Sequence, residues 1–343
     1  MSALPEAVRC WGAAWSFVLG AAVGSFLNVV VARVPAGESI VRPGSRCPSC
    51  RSPIAWHDNL PLISWLLLRA RCRRCGAPIS WRYPLVELLG ALAALAAFAR
   101  HGFAPAALAE FGFAAALVAL SFIDLDTWLL PHALTWPLLG AGLLLSAAGV
   151  TPAGGAGPSL LGAAAGWLAF ALVAVLGERV LRREALGFGD VWLLSAIGAW
   201  MGALALLPVV LLASLQGTVV GLALIGLGRA EPGPPAPGGG AEGTPPPGGG
   251  EGAPTTSGER EGATALRGGT AAPPAGGAGD GSDSADPPPP EESGDARPAG
   301  AEDDWVPPRH AVPFGPFLAA GALEWLWLQD WLAGLVPALR ILR

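Results

Sequence analysis

Two aspartates stand where long apolar segments of this chain meet short polar loops. Asp124 follows the apolar run that ends in Ser121-Phe-Ile, and Asp190 closes the segment Gly187-Phe-Gly-Asp190. A carboxylate at the edge of a hydrocarbon layer is costly, so an acid in that position indicates function. Two neighbouring carboxyl groups share one proton, and such a pair can activate a water and protonate a leaving amine. The two residues therefore suggest a peptidase that works through paired aspartates.

Each aspartate also has an alternative interpretation. Residues two apart on a helix point about 200° away from each other, so only one of Asp124 and Asp126 can face a partner on another helix. Asp124 continues the apolar run and is the deeper of the two, whereas capping or solvation explains Asp126. Asp190 follows a glycine and precedes an apolar run, which is also the chemistry of a helix N-cap. We predict that Asp124 and Asp190 form the pair.

Four of the five cysteines form two C-x-x-C pairs, which is the pattern of a metal site. The pairs are Cys47-Pro-Ser-Cys50 and Cys72-Arg-Arg-Cys75, separated by 21 residues. Four thiolates complete the tetrahedral shell of Zn²⁺ and leave no position for water or substrate, so we predict a structural zinc site. Free thiols are the alternative. Cys10 lies outside the pattern and is expected to be an inert small residue.

The elements that must position these groups are membrane helices. Hydrophobic residues make up 52% and charged residues 14% of the 343 positions, a composition that favours a membrane protein over a soluble one. Nine arginines lie between Arg33 and Arg82, against two acids, Glu38 and Asp58. The positive-inside rule therefore places this segment in the cytoplasm. A reducing compartment disfavours disulfides, which agrees with zinc.

Eight apolar runs are candidate membrane spans. They cover residues 11–31, 84–99, 106–123, 133–149, 158–178, 190–206, 208–228 and 313–336. Pro208 is predicted to separate the runs 190–206 and 208–228. Gly20 and Gly24 in the first run have the small-xxx-small spacing of closely packed membrane helices. We predict an all-α polytopic membrane protein of about eight transmembrane helices, with a small zinc-binding cytoplasmic domain between helices 1 and 2.

The chain divides into five regions along its length. They are a first span over 1–32, a cytoplasmic zinc-binding domain over 33–83, a transmembrane peptidase core over 84–228, a Pro/Gly-rich cytoplasmic insert over 229–311, and a last span with the C-terminus over 312–343. The insert has too little apolar surface to offset its ordering entropy and is predicted to be disordered. Alternation from an outside N-terminus brings Asp124 and Asp190 to the cytoplasmic face. No internal repeat is strong enough to use.

The motifs around these residues resemble those of the bacterial type IV prepilin peptidases, a family of G-x-G-D membrane aspartyl proteases. The matching segments include Gly24-Ser-Phe-Leu-Asn-Val-Val30, Arg33-Val-Pro35, the cysteine block from Cys47 to Glu87, Asp124-Leu-Asp126, Gly187-Phe-Gly-Asp190 and Pro313-Phe-Gly-Pro316. Only the insert lies outside the resemblance. The similarity therefore extends well beyond the two aspartates.

That resemblance implies an activity, a substrate and a location. Asp124 and Asp190 would be the catalytic pair, cutting leader peptides from type IV prepilins or type II secretion pseudopilins at the cytoplasmic face of the bacterial inner membrane. Bifunctional members also N-methylate the new N-terminus with S-adenosylmethionine, and the four-cysteine domain is associated with that form. The lipid bilayer is the other expected partner. No nucleic acid is expected, because topology and lipid contact explain the arginine cluster.

Two residues depart from the family pattern and keep other functions open. His132 stands where an Asp usually follows Leu-Pro, and Trp192 stands where a Lys commonly follows the G-x-G-D aspartate. A methyltransferase-only relative with an impaired protease site is one alternative. A non-enzymatic scaffold for pilus or secretion assembly is another. The simpler interpretation of His132 is a residue that begins a helix.

The residues that would bind the methyl donor stay unknown at this level. No G-x-G-x-x-G motif follows a strand, so a Rossmann-type site cannot be derived. Four polar residues in or beside the cysteine block could contact a charged cofactor, and loop solvation or capping explains them more simply. They are Glu38, Asn59, Arg69 and Glu87.

Overall fold

The computed structural model describes residues 5–181, 187–227 and 312–335. Within these ranges the chain is helical and contains isolated β-bridges but no β-strand. The all-α prediction is therefore confirmed. The predicted insert at 229–311 lies outside the described residues.

Eight helices of the described residues correspond to the eight predicted runs. They are α1 (Glu6–Arg33), α3 (Arg82–His101), α4 (Pro105–Thr127), α5 (His132–Ala147), α6 (Ala156–Leu181), α7 (Phe188–Met201), α8 (Ala203–Gly226) and α9 (Gly315–Leu335). Five of them, α1, α3, α4, α6 and α8, are long and apolar enough to cross a membrane. Helices α5 and α7 are apolar but only 16 and 14 residues long. The chain is a multi-pass membrane protein.

A small cysteine domain, residues 34–81, connects α1 to α3. Its regular elements are a 3-10 turn at Trp56–Asn59 and the short helix α2 (Ile63–Leu67). All four cysteines of the predicted metal site lie in this domain. The expected small domain between the first two long helices is therefore present.

The break between α7 and α8 lies at Gly202, so the predicted break at Pro208 was wrong. Gly202 has a φ of +83°, a left-handed backbone that ends α7. Pro208 lies inside α8, close to its beginning. There the proline removes a single i to i−4 hydrogen bond and the helix continues. A glycine that can reverse the backbone therefore decides the boundary.

Glycines bring two pairs of helices into backbone contact. A Cβ added at Gly24 would lie 2.6 Å from the Cα of Glu87, and Gly20 is equally closely packed against α3. Helices α6 and α7 meet in the same way through Gly162 and Gly198. The small-residue spacing of the first run thus packs α1 directly on α3.

Helix α7 lies at the centre of the packed core. From Asp190 to Trp200, every residue except Trp192 is buried. The surrounding apolar cluster includes residues of α4, α5, α8 and α9, among them Phe113, Val209 and Leu318. Because α7 is held on all sides, its first turn places Asp190 in a defined position inside the fold.

Candidate functional site

Asp124 lies in the last turn of α4 and is held by the beginning of α9. The residue is 5% exposed. Its Oδ2 accepts a hydrogen bond of 3.1 Å from the backbone N–H of Gly315, the first residue of α9. A Cβ at Gly315 would lie 2.5 Å from that oxygen, so a side chain there would displace the carboxylate. In the sequence Gly315 stands out only as part of Pro313-Phe-Gly-Pro316, and nothing there indicates its contact with Asp124.

Asp190 is the third residue of α7, and its side chain is not the helix cap. Its backbone N–H donates to the carbonyl of Gly187 at 3.0 Å, and Gly187 occupies the N-cap position. The N-cap alternative is therefore wrong. Asp190 is 8% exposed, and its Oδ1 is the one buried side-chain oxygen of the described residues without a hydrogen-bond partner. A buried oxygen of this kind is rare and can bind a water or a substrate.

Leu130 lies between the segments that carry the two aspartates. A Cβ on Gly189 would be 2.8 Å from the Cβ of Leu130, and a Cβ on Gly315 would be 3.4 Å from its Cδ1. Through these contacts the first turn of α7, which carries Asp190, lies beside the beginning of α9, which binds Asp124. The structure thus brings together the two acids that the sequence singled out.

Asp126 has different surroundings. Its side chain is 42% exposed, and both carboxylate oxygens lie 2.6 Å from Nη1 of Arg82. Nη2 of Arg82 also donates to the carbonyl of Phe122 at 3.1 Å, and the guanidinium carbon lies 4.9 Å from the centroid of the Phe122 ring. The burial of Asp124 and the exposure of Asp126 agree with the depth argument made from helix geometry.

The two departures from the family pattern are neighbours in space. His132 is the first residue of α5, as its helix-start interpretation predicted. Its ring stacks on Trp136 with centroids 5.1 Å apart and meets the edge of Trp192 at 6.3 Å. Trp136 and Trp192 are themselves 5.8 Å apart. Both departures therefore belong to one aromatic cluster between α5 and α7.

The four predicted metal ligands converge in the cysteine domain. Their Sγ atoms all lie within 4.8 Å of one another, and those of Cys47 and Cys75 are 3.8 Å apart. A tetrahedral zinc ion with Zn–S bonds of about 2.3 Å has S–S edges of about 3.8 Å, so the donor set fits zinc. The side-chain hydrogen bond with Ser52 lowers the pKa of Cys50 to about 6, and the backbone N–H of Cys75 lowers the pKa of Cys72. These two shifts favour thiolates at Cys50 and Cys72. At Cys75 a backbone hydrogen bond lowers the pKa, but burial and the contacts with the other three cysteines outweigh it and raise the pKa to about 11.

The two cysteine pairs lie in two copies of the same turn. In each copy the N–H of the first cysteine donates to the carbonyl five residues later, from Cys47 to Ser52 at 3.0 Å and from Cys72 to Ala77 at 2.8 Å. An antiparallel bridge closes each turn. The copies read Cys-Pro-Ser-Cys-Arg-Ser-Pro-Ile over 47–54 and Cys-Arg-Arg-Cys-Gly-Ala-Pro-Ile over 72–79.

This repeat was overlooked in the sequence. Arg51 and Gly76 occupy the same position of the two turns, with φ values of +55° and +71°. The signal was present as C-x-x-C-x-x-Pro-Ile at an interval of 25 residues. The expectation of no usable repeat was wrong for this domain, because the unit is shorter than the repeats that build whole folds.

A second buried acid of α4 was also missed. Glu110 is 4% exposed and lies near the opposite end of the helix from Asp124. Its carboxylate contacts Arg100 at 2.7 Å, His101 at 2.8 Å and the indole N–H of Trp327 at 2.9 Å. The sequence signal for Glu110 is an acidic residue inside an apolar run. Because it has three partners, it joins α3, α4 and α9.

A cavity of 590 Å³ lies between the cysteine domain and the adjoining ends of α1 and α3. Of the four polar residues considered for a charged cofactor, Asn59 and Glu87 line this cavity, whereas Glu38 and Arg69 do not. Glu87 is 9% exposed. The cavity is therefore formed by parts of the chain other than α4 and α7, which carry the aspartates.

Comparison with known proteins finds a family model for each half of the chain. Residues 18–101 match the Bacterial Peptidase A24 N-terminal domain, and residues 111–222 match the Type IV leader peptidase family. A prepilin leader peptidase/N-methyltransferase of Myxococcus xanthus (strain DK1622) is 43% identical over 340 residues, which cover 98% of this chain and 96% of that protein. The chain belongs to the type IV leader peptidase family. The resemblance inferred from the motifs is confirmed.

Other members of the type IV leader peptidase family match most of the chain. Proteins of the same name from Burkholderia pseudomallei (strain 1026b) and Aeromonas hydrophila are 39% identical over 263 residues and 40% identical over 247 residues. These matches cover 69% and 65% of this chain and 84% of each relative. No solved structure matches the chain. The four cysteines fall in the first matched region and the two buried aspartates in the second.

Proposed function

We propose that this chain is a membrane aspartyl endopeptidase with Asp124 and Asp190 as its catalytic pair, removing leader peptides from type IV prepilins or type II secretion pseudopilins. The observation that carries the proposal is the meeting of two buried acids from α4 and α7. One accepts the N–H of Gly315, and the other has a buried oxygen without a partner. Relatives across most of the chain are named prepilin leader peptidases.

The two carboxyl groups can divide the work of amide hydrolysis. One takes a proton from a water while the water oxygen attacks the scissile carbonyl carbon. The other gives its proton to the nitrogen that leaves when the C–N bond breaks. Asp124 suits the ionised role because the N–H of Gly315 stabilises a carboxylate, and Asp190 suits the role of proton donor. Burial of both groups strengthens their action on the developing charges.

The proposed site faces the cytoplasm at the bacterial inner membrane. The arginine-rich segment between α1 and α3 supports this orientation, and the ion pair of Arg82 with Asp126 connects that segment to the end of α4 that carries Asp124. The basic leader would lie near anionic headgroups, and the apolar helical part of the prepilin would pack between the membrane helices.

We also propose that the enzyme N-methylates the new N-terminus with S-adenosylmethionine as donor. Support comes from the relatives, whose names include N-methyltransferase, and from the match of α1, the cysteine domain and α3 to a separate domain family. Cys47, Cys50, Cys72 and Cys75 would hold a structural zinc ion. Four thiolates close its coordination shell, so the metal shapes the domain and leaves substrate binding to other residues.

Mass spectrometry of a prepilin co-expressed with the enzyme tests both activities. We expect the leader to be removed at a single position and one methyl group to appear on the new N-terminus. Asp124→Asn and Asp190→Asn should leave the precursor uncut, whereas Asp126→Asn is the matched control and should still cut. An uncut precursor with the unaltered enzyme contradicts the peptidase. Methylation of a separately supplied mature pilin by such an enzyme would instead support the methyltransferase-only alternative.

A further inference from the structure

The cavity beside the cysteine domain has the size of a small-molecule site. Its volume is 590 Å³, within the range of about 300–1,000 Å³ that is typical of ligand pockets. Asn28 of α1 and Glu87 of α3 line one side, and Asn59 and Trp65 of the cysteine domain line another. A nucleoside-sized ligand would therefore touch both the membrane helices and the zinc-binding domain.

Close packing of α1 on α3 builds one wall of this cavity. A Cβ at Gly24 would lie 2.6 Å from the Cα of Glu87. One turn along α1, Nδ2 of Asn28 donates to the carbonyl of Tyr83 at 3.2 Å. A larger residue at position 24 would push the two helices apart, so the glycine lets Asn28 and Glu87 occupy the same wall.

Glu87 is the buried acid of that wall, and a strained residue holds it. Its Oε2 accepts a hydrogen bond of 2.7 Å from the backbone N–H of Leu62. Leu62 has φ +61° and ψ −47° and is the central residue of a γ-turn, in which the N–H of Ile63 donates to the carbonyl of Pro61 at 2.6 Å. This form of the γ-turn is rare and strained for a residue with a Cβ. Strain of this kind is concentrated at binding sites, where the surrounding structure maintains it.

A buried carboxylate favours an occupant that carries positive charge. It attracts a cation placed against it, whereas the four arginines of the lining, Arg33, Arg46, Arg73 and Arg74, attract the anionic groups of a ligand. The sulfonium group of S-adenosylmethionine supplies the positive charge, and the ribose links it to an aromatic base. The ring of Trp65 can pack against that base, because its N–H donates to the carbonyl of Ile79 at 3.2 Å and holds the indole in place.

The arginines of the lining also fit this ligand. Arg73 is neutralised by Asp58, whose carboxylate lies 2.6 Å from Nη2 of Arg73 and whose pKa is lowered by that hydrogen bond. Arg46 and Arg74 line the cavity as well and can bind the carboxylate of the methionine part. The cavity thus offers groups for both charges of a ligand that is cationic at sulfur and anionic at its carboxyl end.

We propose that this cavity binds S-adenosylmethionine, with Glu87 next to the sulfonium group. The inference deepens the proposed methyl transfer and rests on it. The cavity lies at the same end of the helix bundle as the paired aspartates, because Arg82 of the adjoining chain segment pairs with Asp126. A prepilin cut there would release its new N-terminus near the methyl donor.

Equilibrium dialysis of the full-length, zinc-loaded enzyme in detergent tests this binding directly. The probes are labelled S-adenosylmethionine and S-adenosylhomocysteine, which lacks the sulfonium charge. Glu87→Gln should weaken the first about tenfold or more and the second by less than about threefold, because the glutamine oxygen still accepts the N–H of Leu62 and only the charge is lost. The proposal would be overturned if the unaltered enzyme and Glu87→Gln bound S-adenosylmethionine with equal affinity. It would also be overturned if Glu87→Gln lost affinity for S-adenosylmethionine and S-adenosylhomocysteine by the same factor.

Two variants separate this proposal from the peptidase. Asp124→Asn should lose prepilin cleavage and keep its affinity for S-adenosylmethionine. Glu87→Gln should keep cleavage and its full zinc content, which also shows that it folds. If the unaltered enzyme binds the donor but neither cuts nor methylates a prepilin, the proposed function fails and the site stands. If the unaltered enzyme methylates a prepilin but Glu87→Gln binds the donor normally, the proposed function stands and only the assignment of the donor to this cavity fails.

A competition arm distinguishes the donor from a lipid. Vesicles of phosphatidylglycerol are added to the dialysis as competitor, with phosphatidylcholine vesicles as the matched control. The proposal expects neither vesicle to displace the labelled donor by more than about twofold, because the phosphate of phosphatidylglycerol offers no cation to the carboxylate of Glu87. Displacement by phosphatidylglycerol alone would identify the cavity as an anionic lipid site and contradict the inference.

Discussion

Arg82, the first residue of α3, forms an ion pair with Asp126 in the last turn of the helix that carries Asp124. Nη1 of Arg82 lies 2.6 Å from both carboxylate oxygens of Asp126. Arg82 begins α3 directly after the cysteine domain, and Asp126 lies in the last turn of α4, two residues beyond Asp124. The ion pair therefore fixes the beginning of α3, where the cysteine domain ends, to the end of α4.

The first prediction is that this ion pair supports cleavage to a modest extent. The side chains are 28% and 42% exposed, and a pair of that kind contributes about 0.2–1 kcal/mol. Arg82→Ala and Asp126→Asn should each lower the rate of prepilin cleavage by about two- to fivefold, and the double variant should lose little more than either one. Initial rates on a prepilin in proteoliposomes measure this. If the loss of cleavage rate in the double variant equalled the product of the two single losses, the two residues would act independently.

The second prediction concerns the glycine that donates to Asp124. Gly315→Ala places a Cβ 2.5 Å from Oδ2, so the carboxylate must move. Misplacement of a reacting group by about 1 Å costs about 10²-fold in rate, and we expect a cleavage defect of that order. Gly334→Ala in the same helix is the control, since nothing lies within 4 Å of its Cβ position. Equal cleavage by the two variants would remove Gly315 from the site.

The third prediction is one zinc ion per chain, bound by four cysteines. Cys47→Ser and Cys72→Ser should each lose the metal from the purified enzyme, because a shell of three thiolates no longer closes the tetrahedron. Cys10→Ser should keep it, since Cys10 is exposed on α1 outside the cluster. Metal analysis by mass spectrometry decides between these outcomes. Full zinc content in Cys72→Ser would place the metal elsewhere.

The third prediction extends to cleavage. If the cysteine domain influences the peptidase through Arg82, loss of zinc should lower cleavage no further than Arg82→Ala does. Initial rates of Cys72→Ser and Arg82→Ala on the same prepilin make the comparison. A complete loss of cleavage in Cys72→Ser would indicate a second connection between the two parts.

The fourth prediction uses the repeated turn of the cysteine domain. Arg51 adopts the left-handed backbone that Gly76 adopts in the other copy, and a residue with a Cβ pays about 1 kcal/mol or more for it. Arg51→Gly should therefore raise zinc affinity about fivefold. Gly76→Ala should lower it by a similar factor, although nothing lies within 4 Å of its Cβ position. Competition with a chelator measures both, and an unchanged affinity in Arg51→Gly would mean that the turn stores no strain.

The sequence predicted the helical segments well because hydropathy is a local property. The eight runs were identified, and only the boundary between α7 and α8 was misplaced. There the proline rule failed, since a helix tolerates Pro208 near its beginning while the left-handed Gly202 ends the preceding helix. Whether a turn residue adopts that backbone depends on packing, which a single sequence does not display.

Contacts between distant segments could not be read in the same way. The bond from Gly315 to Asp124 spans 191 residues, and the pair of Arg82 with Asp126 spans 44. Neither contact corresponds to a residue spacing that can be recognised in the sequence. The repeated turns around the cysteines were visible in principle, and only their matching hydrogen bonds showed that they form one motif.

The sequence by itself determined the membrane class, the helical segments, the four cysteines of a candidate metal site and the two candidate acids, because each depends on residue type and short spacing. Only the tertiary structure decided that Asp124 is buried beside Gly315, that Asp126 belongs to Arg82, and that Asp190 keeps an oxygen without a partner. The reason is physical. The position of a carboxylate depends on which backbone groups pack against it, and here those groups come from helices far apart along the chain.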